Sequence, residues 1–172
     1  DADDVSLANR FEVQMRLALK ENCDVVFSRA KKITEKYEKI VPYSFLFSRF
    51  SPETLRFGNI FIHGTMFIKK DILQKIKYDS GVKYSQDYDL FCRLAHVSPP
   101  LKWGLILELL YVLKQLGDNI STVRSVEQAQ TALSITNKYY GTTFFSPVNK
   151  NKIQKLFLLI LRWLMLAIAN FT

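Results

Sequence analysis

The chain has 172 residues, 48% of them hydrophobic and 13% aromatic, which suffices for one domain with a sizeable core and excludes an intrinsically disordered segment. Lysine and arginine outnumber aspartate and glutamate by 24 to 16, a formal charge of +8 that suits anionic partners. The basic residues stand in short clusters such as Lys31-Lys32, Lys69-Lys70 and Lys75 with Lys77, without an aromatic-interleaved stripe or zinc-finger spacing, so no nucleic-acid partner is expected.

The chain opens with Asp1, Asp3 and Asp4, three carboxylates in four residues. Their repulsion is relieved either by a hard divalent cation with oxygen ligands or by lying in the first turn of a helix capped by Ser6; these residues alone favour the cap. Leu7, Phe11, Met15, Ala18 and Leu19 then recur at helical spacing, which predicts a helix over 6–21 whose apolar face packs on a sheet. Residues 25–28 read as a short buried strand, and the lysine-rich stretch to Lys39 as a solvated loop or hairpin. Pro52 marks a helix start. Residues 65–68 read as a strand, 70–76 as a short helix, 78–85 as a loop and 86–96 as a helix halted by Pro99 and Pro100. The leucines of 102–113 suit a helix or paired strands. Residues 125–140 read as a helix capped at Ser125 and ended by Gly141.

Residues 153–171 are apolar apart from Gln154, Lys155, Arg162 and Asn170. The run falls short of the roughly 20 apolar residues that span a bilayer. It suits a terminal helix packed on the protein's own core or a second subunit, or an interfacial helix with Trp163 and Phe157 in the acyl boundary and Lys and Arg on lipid phosphates. Cys23 and Cys92, without motif spacing, fit a reducing cytosol rather than a disulfide framework.

Three blocks follow one another in a telling order: Asp1-Ala2-Asp3-Asp4-Val5-Ser6-Leu7 with Asn9-Arg10-Phe11; Ile62-His63-Gly64-Thr65-Met66-Phe67-Ile68-Lys69-Lys70; and Gln86-Asp87-Tyr88-Asp89-Leu90. Together they resemble the C-terminal portion of a family 2 glycosyltransferase of the GT-A fold, beginning at its DxD motif. The resemblance covers 1–125 and implies an α/β fold: a Rossmann-like mixed sheet flanked by helices, with the N-terminal half missing. It leaves 126–148 as a helical extension and 149–172 as the apolar C-terminal helix. It favours strands for 102–113.

The chemistry behind such blocks is general. A departing nucleoside diphosphate develops negative charge that a metal neutralises as a Lewis acid, and an acceptor hydroxyl needs a carboxylate within hydrogen-bond reach to take its proton. The resemblance implies Asp3 as the ligand of Mg²⁺ or Mn²⁺, and Asp1 as a contact to the metal, its bound water or the donor ribose. It implies Asp87 as the base, with His63 and Lys114 on the donor side. Asp89 reads as a charge complementing the helix dipole. Three positions depart from the family pattern: Gln86 for Glu, Gly64 for Pro, and Leu116 for His ahead of Asn119 and Ser121.

The expected protein is an inverting transferase. It moves a sugar from a nucleotide-sugar donor to a hydroxyl of a growing polysaccharide or lipid-linked glycan, in the cytoplasm or on the inner face of the plasma membrane. The 172 residues alone are expected to turn over little or nothing. The rival expectation is a non-catalytic module that docks on membranes or partners. A nucleotidyltransferase is disfavoured, for the chain shows no glycine- and basic-rich N-terminal loop.

Overall fold

The structure, a computed structural model, describes residues 3–43, 50–115 and 124–141. Its centre is a five-stranded mixed sheet of β1 (Val5–Ser6), β2 (Val25–Thr34), β3 (Glu38–Val41), β4 (Phe67–Ile68) and β5 (Trp103–Gln115). The order is β1-β5-β2-β3, with β4 also on β2; β2 and β5 run parallel and every other pair antiparallel. Helices α1 (Arg10–Glu21), α2 (Lys70–Ile76), α3 (Gln86–Ala95) and α4 (Ser125–Tyr140) flank it, with 3-10 segments at Pro52–Phe57 and His63–Thr65.

The run of leucines at 102–113 is a strand because β5 is central and covered on both faces, a position that selects near-continuous apolar sequence. Ser28 pairs with Ile106, Arg29 with Leu109 and Ala30 with Tyr111, so β5 carries unpaired extra residues and bends there. β2 likewise outlasts its expected end at Ser28 because β5 and β3 supply partners along both its edges to Ile33.

Alternation along β2 builds two cores. Val25 and Phe27 join Leu55, Phe61, Phe91, Leu94 and Ile135 beneath α3 and α4. Val26 joins Cys23, Ile106 and Leu110 beneath Val13, Leu17 and Ala18 of α1. On the first side Ser85 Oγ donates to the Gln128 carbonyl and Tyr140 to the Pro52 carbonyl, which ties α4 to its neighbours.

Two expectations for the first helix are corrected. Ser6 is not its cap but lies in β1 opposite Tyr111, and α1 begins at Arg10 after Asn9. The Leu7 amide prolongs that pairing by donating to the Leu110 carbonyl. The helix also presents another face to the sheet. Arg10 and Gln14 are buried with Leu17 and Val13 beside them, while Phe11, Met15 and Leu19 are exposed, Leu19 to 75%. The reason lies in the loop beneath the helix, described below. At the far end the helix expected over 125–140 is found, but Arg124 rather than Ser125 is its cap, and Gly141 closes it at φ 73°, a left-handed turn suited to glycine.

Among the described residues, no helix is long and apolar enough to cross a membrane. The apolar tail, Asp1, Leu116, Asn119 and Ser121 lie outside the described residues.

Candidate active site

Asp87 opens α3 from a half-buried position. Its Oδ2 accepts a hydrogen bond of 2.8 Å from Asn59 Nδ2, and Asn59 Oδ1 in turn accepts from the Phe61 amide at 3.0 Å. Asn59 is therefore locked at both ends and fixes one carboxylate oxygen; among the described residues Oδ1 of Asp87 has no hydrogen-bond partner. Burial, and then the Asp87 charge, push the Tyr78 phenol above its usual value. The Tyr78 hydroxyl meets His63 Nε2 at 2.5 Å, and the His63 ring leans on Phe91, one helical turn beyond Asp87, with centroids 6.5 Å apart. Asn59, His63, Tyr78 and Asp87 thus form one polar corner.

The acidic cluster forms a second corner, with its members in different roles. Both oxygens of Asp4 are engaged: Oδ2 accepts from the Tyr111 hydroxyl at 2.8 Å and Oδ1 from the Lys114 amide at 2.9 Å. Asp4 therefore fastens the start of the described chain to β5. Asp3 is exposed and, among the described residues, has no hydrogen bond or ion pair. Burial, followed by the hydrogen bond to Asp4 and its charge, pushes the Tyr111 phenol up to about 12; Arg10 opposes this and Asp3 adds to it.

The His63–Thr65 turn joins the corners. Its first residue holds Tyr78, and at its second a Cβ would lie 2.3 Å from the Tyr111 ring. No side chain larger than hydrogen fits there without displacing Tyr111, so the Gly64 departure has a steric cause in this chain. Its third residue explains the turned face of α1. The buried Thr65 carbonyl accepts from Gln14 Nε2 at 2.7 Å, and Gln14 Oε1 accepts from Arg10 Nε at 3.0 Å. Arg10 also stands 5.3 Å from the Tyr111 ring centroid. A buried loop carbonyl needs a donor, which an apolar helix face cannot give.

Of the sequence-derived candidates, Asp3, His63 and Asp87 border these linked corners, and Lys114 contributes its backbone to the anchoring of Asp4. Asp89 stands in the first turn of α3, as expected of a charge complementing the dipole, but it is 1% exposed, accepts from Arg93 Nε at 2.8 Å and from the Tyr139 hydroxyl at 3.1 Å, and so also helps join α3 to α4. Arg93 also donates to the Ile76 and Lys77 carbonyls at the end of α2. The sequence reading missed Asn59, Tyr78, Tyr111 and the Arg10–Gln14 pair. Only the last left a trace, two polar residues four apart within an amphipathic helix.

Among the described residues, no group of three His, Cys, Asp or Glu could hold a metal. With Asp4 committed to β5, Asp3 is the exposed one of the two described carboxylates of the cluster, and its oxygen chemistry fits a hard cation such as Mg²⁺ or Mn²⁺.

The mixed sheet flanked by helices is compatible with a glycosyltransferase fold. The chain is similar to two glycosyltransferases, which support that function at a coarse level. One is the O-antigen biosynthesis glycosyltransferase WbnJ of Escherichia coli, 33% identical over 110 residues, covering 64% of this chain and 43% of the relative. The other is the uncharacterized glycosyltransferase MJ1057 of Methanocaldococcus jannaschii, 31% identical over 120 residues, covering 64% of this chain and 38% of the relative. The chain thus spans less than half the length of either. No family model matches it.

Proposed function

We propose that the full-length protein is an inverting, family 2 glycosyltransferase of the GT-A fold, moving a sugar from a nucleotide-sugar donor to a hydroxyl of a polysaccharide or lipid-linked glycan. The observation that carries this reading is the His63–Thr65 turn, which links the Asp3–Asp4 corner to the Asp87 corner through Tyr111 and Tyr78. A donor carboxylate and a base must be held in one frame if the acceptor is to attack while the diphosphate leaves.

In this scheme Asp87 Oδ1 takes the proton of the acceptor hydroxyl, while Asn59 keeps Oδ2 oriented. The acceptor oxygen bonds to the anomeric carbon as that carbon's bond to the diphosphate breaks, and configuration inverts. Asp3, with Asp1, would hold a Mg²⁺ or Mn²⁺ that offsets charge on the departing nucleoside diphosphate. His63 and Lys114 border the donor. The role in O-antigen biosynthesis named for the Escherichia coli relative motivates the glycan acceptor. With a cytoplasmic donor, the reaction belongs at the inner face of the plasma membrane, where 153–171 would meet lipid.

A degenerate, non-catalytic module is the rival. As a departure from the family pattern Gly64 favours that rival, but Tyr111 occupies the space that a larger side chain would need. The test is Asp87→Asn in the full-length protein. Transfer should fall by about 10²–10⁴-fold while metal-dependent nucleotide binding persists. A fall below about tenfold removes Asp87 as the base, and absence of nucleotide binding in the unaltered protein favours the docking module.

A further inference from the structure

The β2–β3 hairpin holds a charge arrangement that folding alone does not favour. Lys32 and Lys39 are direct cross-strand partners. Such residues stand about 4.5–5.5 Å apart at Cβ, and like charges there repel. Both are half-buried, and among the described residues neither has an ion pair or hydrogen bond to a carboxylate. The Lys39 ammonium lies 5.2 Å from the centroid of the neutral Tyr37 ring. Glu38, the acid on β3, pairs with Lys31 at 2.6 Å and by alternation lies on the other face. Burial, and then Lys39, lower the affinity of Lys32 for its proton.

The location adds a second observation. Lys32 shares a face of β2 with Ala30, whose partner on β5 is Tyr111, the residue that holds Asp4. The register sets Lys39, Lys32 and Leu113 in one row across the sheet, and Tyr111, which holds Asp4, lies one same-face step from Leu113 along β5. Two half-buried ammoniums that face each other across the strands, with no ion pair among the described residues, call for an anion.

We propose that Lys32 and Lys39 form a phosphate-binding site in which both ammoniums grip one phosphate or diphosphate group. Its oxyanion is either the donor's own diphosphate or a phosphate carried by the acceptor. Phosphate binding needs neither a metal nor the Asp87 corner, so it is testable apart from the transferase reading, on which only the source of the phosphate rests: Asp87→Asn should leave it intact.

The probe is inorganic pyrophosphate, titrated into the full-length protein by calorimetry in metal-free buffer. Saturable binding is expected, and Lys32→Gln and Lys39→Gln should each weaken it by about tenfold or more, as loss of one charge-assisted hydrogen bond does. Lys31→Gln removes the same charge from the other face and should change it by less than about threefold. Thermal unfolding without ligand should be unchanged or raised in Lys32→Gln, since a repulsion is lost, which separates lost binding from lost folding. Equal weakening by Lys31→Gln, or absence of saturable binding, overturns the site. Titration with UDP or GDP and Mg²⁺ then assigns the source. Displacement of pyrophosphate marks the donor diphosphate, and retention beside bound nucleotide marks an acceptor phosphate.

Discussion

On one face of the sheet Phe27 stacks on Phe61 at 4.0 Å and on Trp103 at 5.9 Å, with Phe91 edge-on at 5.1 Å. On the other, α1 turns Arg10 and Gln14 inward and Phe11, Met15 and Leu19 outward. The first face positions its helix by aromatic packing: α3 buries Tyr88, Leu90, Phe91, Cys92 and Leu94, and Asp87 is carried at its head. The second positions a loop, and loop backbone is held by hydrogen bonds rather than by apolar contact. A site residue on a packed helix and one on a 3-10 turn therefore require opposite kinds of support.

That contrast predicts unequal consequences. Phe91→Ala should cost about 3–5 kcal/mol in urea unfolding, the range for truncating a buried aromatic. A cost near 1 kcal/mol would mean that the aromatic layer collapses around the gap and does not anchor α3. Gln14→Leu should cost about 1–3 kcal/mol although it adds apolar surface to the sheet-facing side, because the Thr65 carbonyl loses its donor. A stabilised Gln14→Leu protein would erase the distinction between the faces. Leu19→Gln should move stability by no more than about 0.5 kcal/mol in the same assay, as exposed positions do. A larger loss would show that the outward stripe of α1 is covered in the full-length protein.

Much of this was readable in advance. The helix at 70–76 and the one at 125–140 match their expected limits, the second with Gly141 as a local stop signal. The strand character of 103–115 agreed with the family resemblance, where the leucines alone left a helix open. The face of α1 was misread because two apolar series overlap along it. Of the expected series Leu7, Phe11, Met15, Ala18 and Leu19, Ala18 does pack, beside Val13 and Leu17, whereas Phe11, Met15 and Leu19 are exposed and Leu7 precedes the helix. No local rule ranks one above the other when a distant carbonyl at Thr65 decides.

The acidic cluster shows the same division. Three carboxylates side by side are equivalent to any spacing argument, and by itself the chain marked them as a cap or a metal site. Tertiary structure separates Asp4 from Asp3, because the Tyr111 hydroxyl and the Lys114 amide, more than 100 residues away, engage one and not the other. Likewise Asp87 was visible in its motif, but Asn59 as its clamp was not. The sequence by itself determined which residue types stand at each block and where α2, α3 and α4 lie, since those depend on neighbours within a few positions, whereas β2 and β5 owe their extent to each other. Only the folded chain decided which carboxylate is anchored, which helix face is inward and why residue 64 is glycine. Each of these depends on a partner brought near by the sheet.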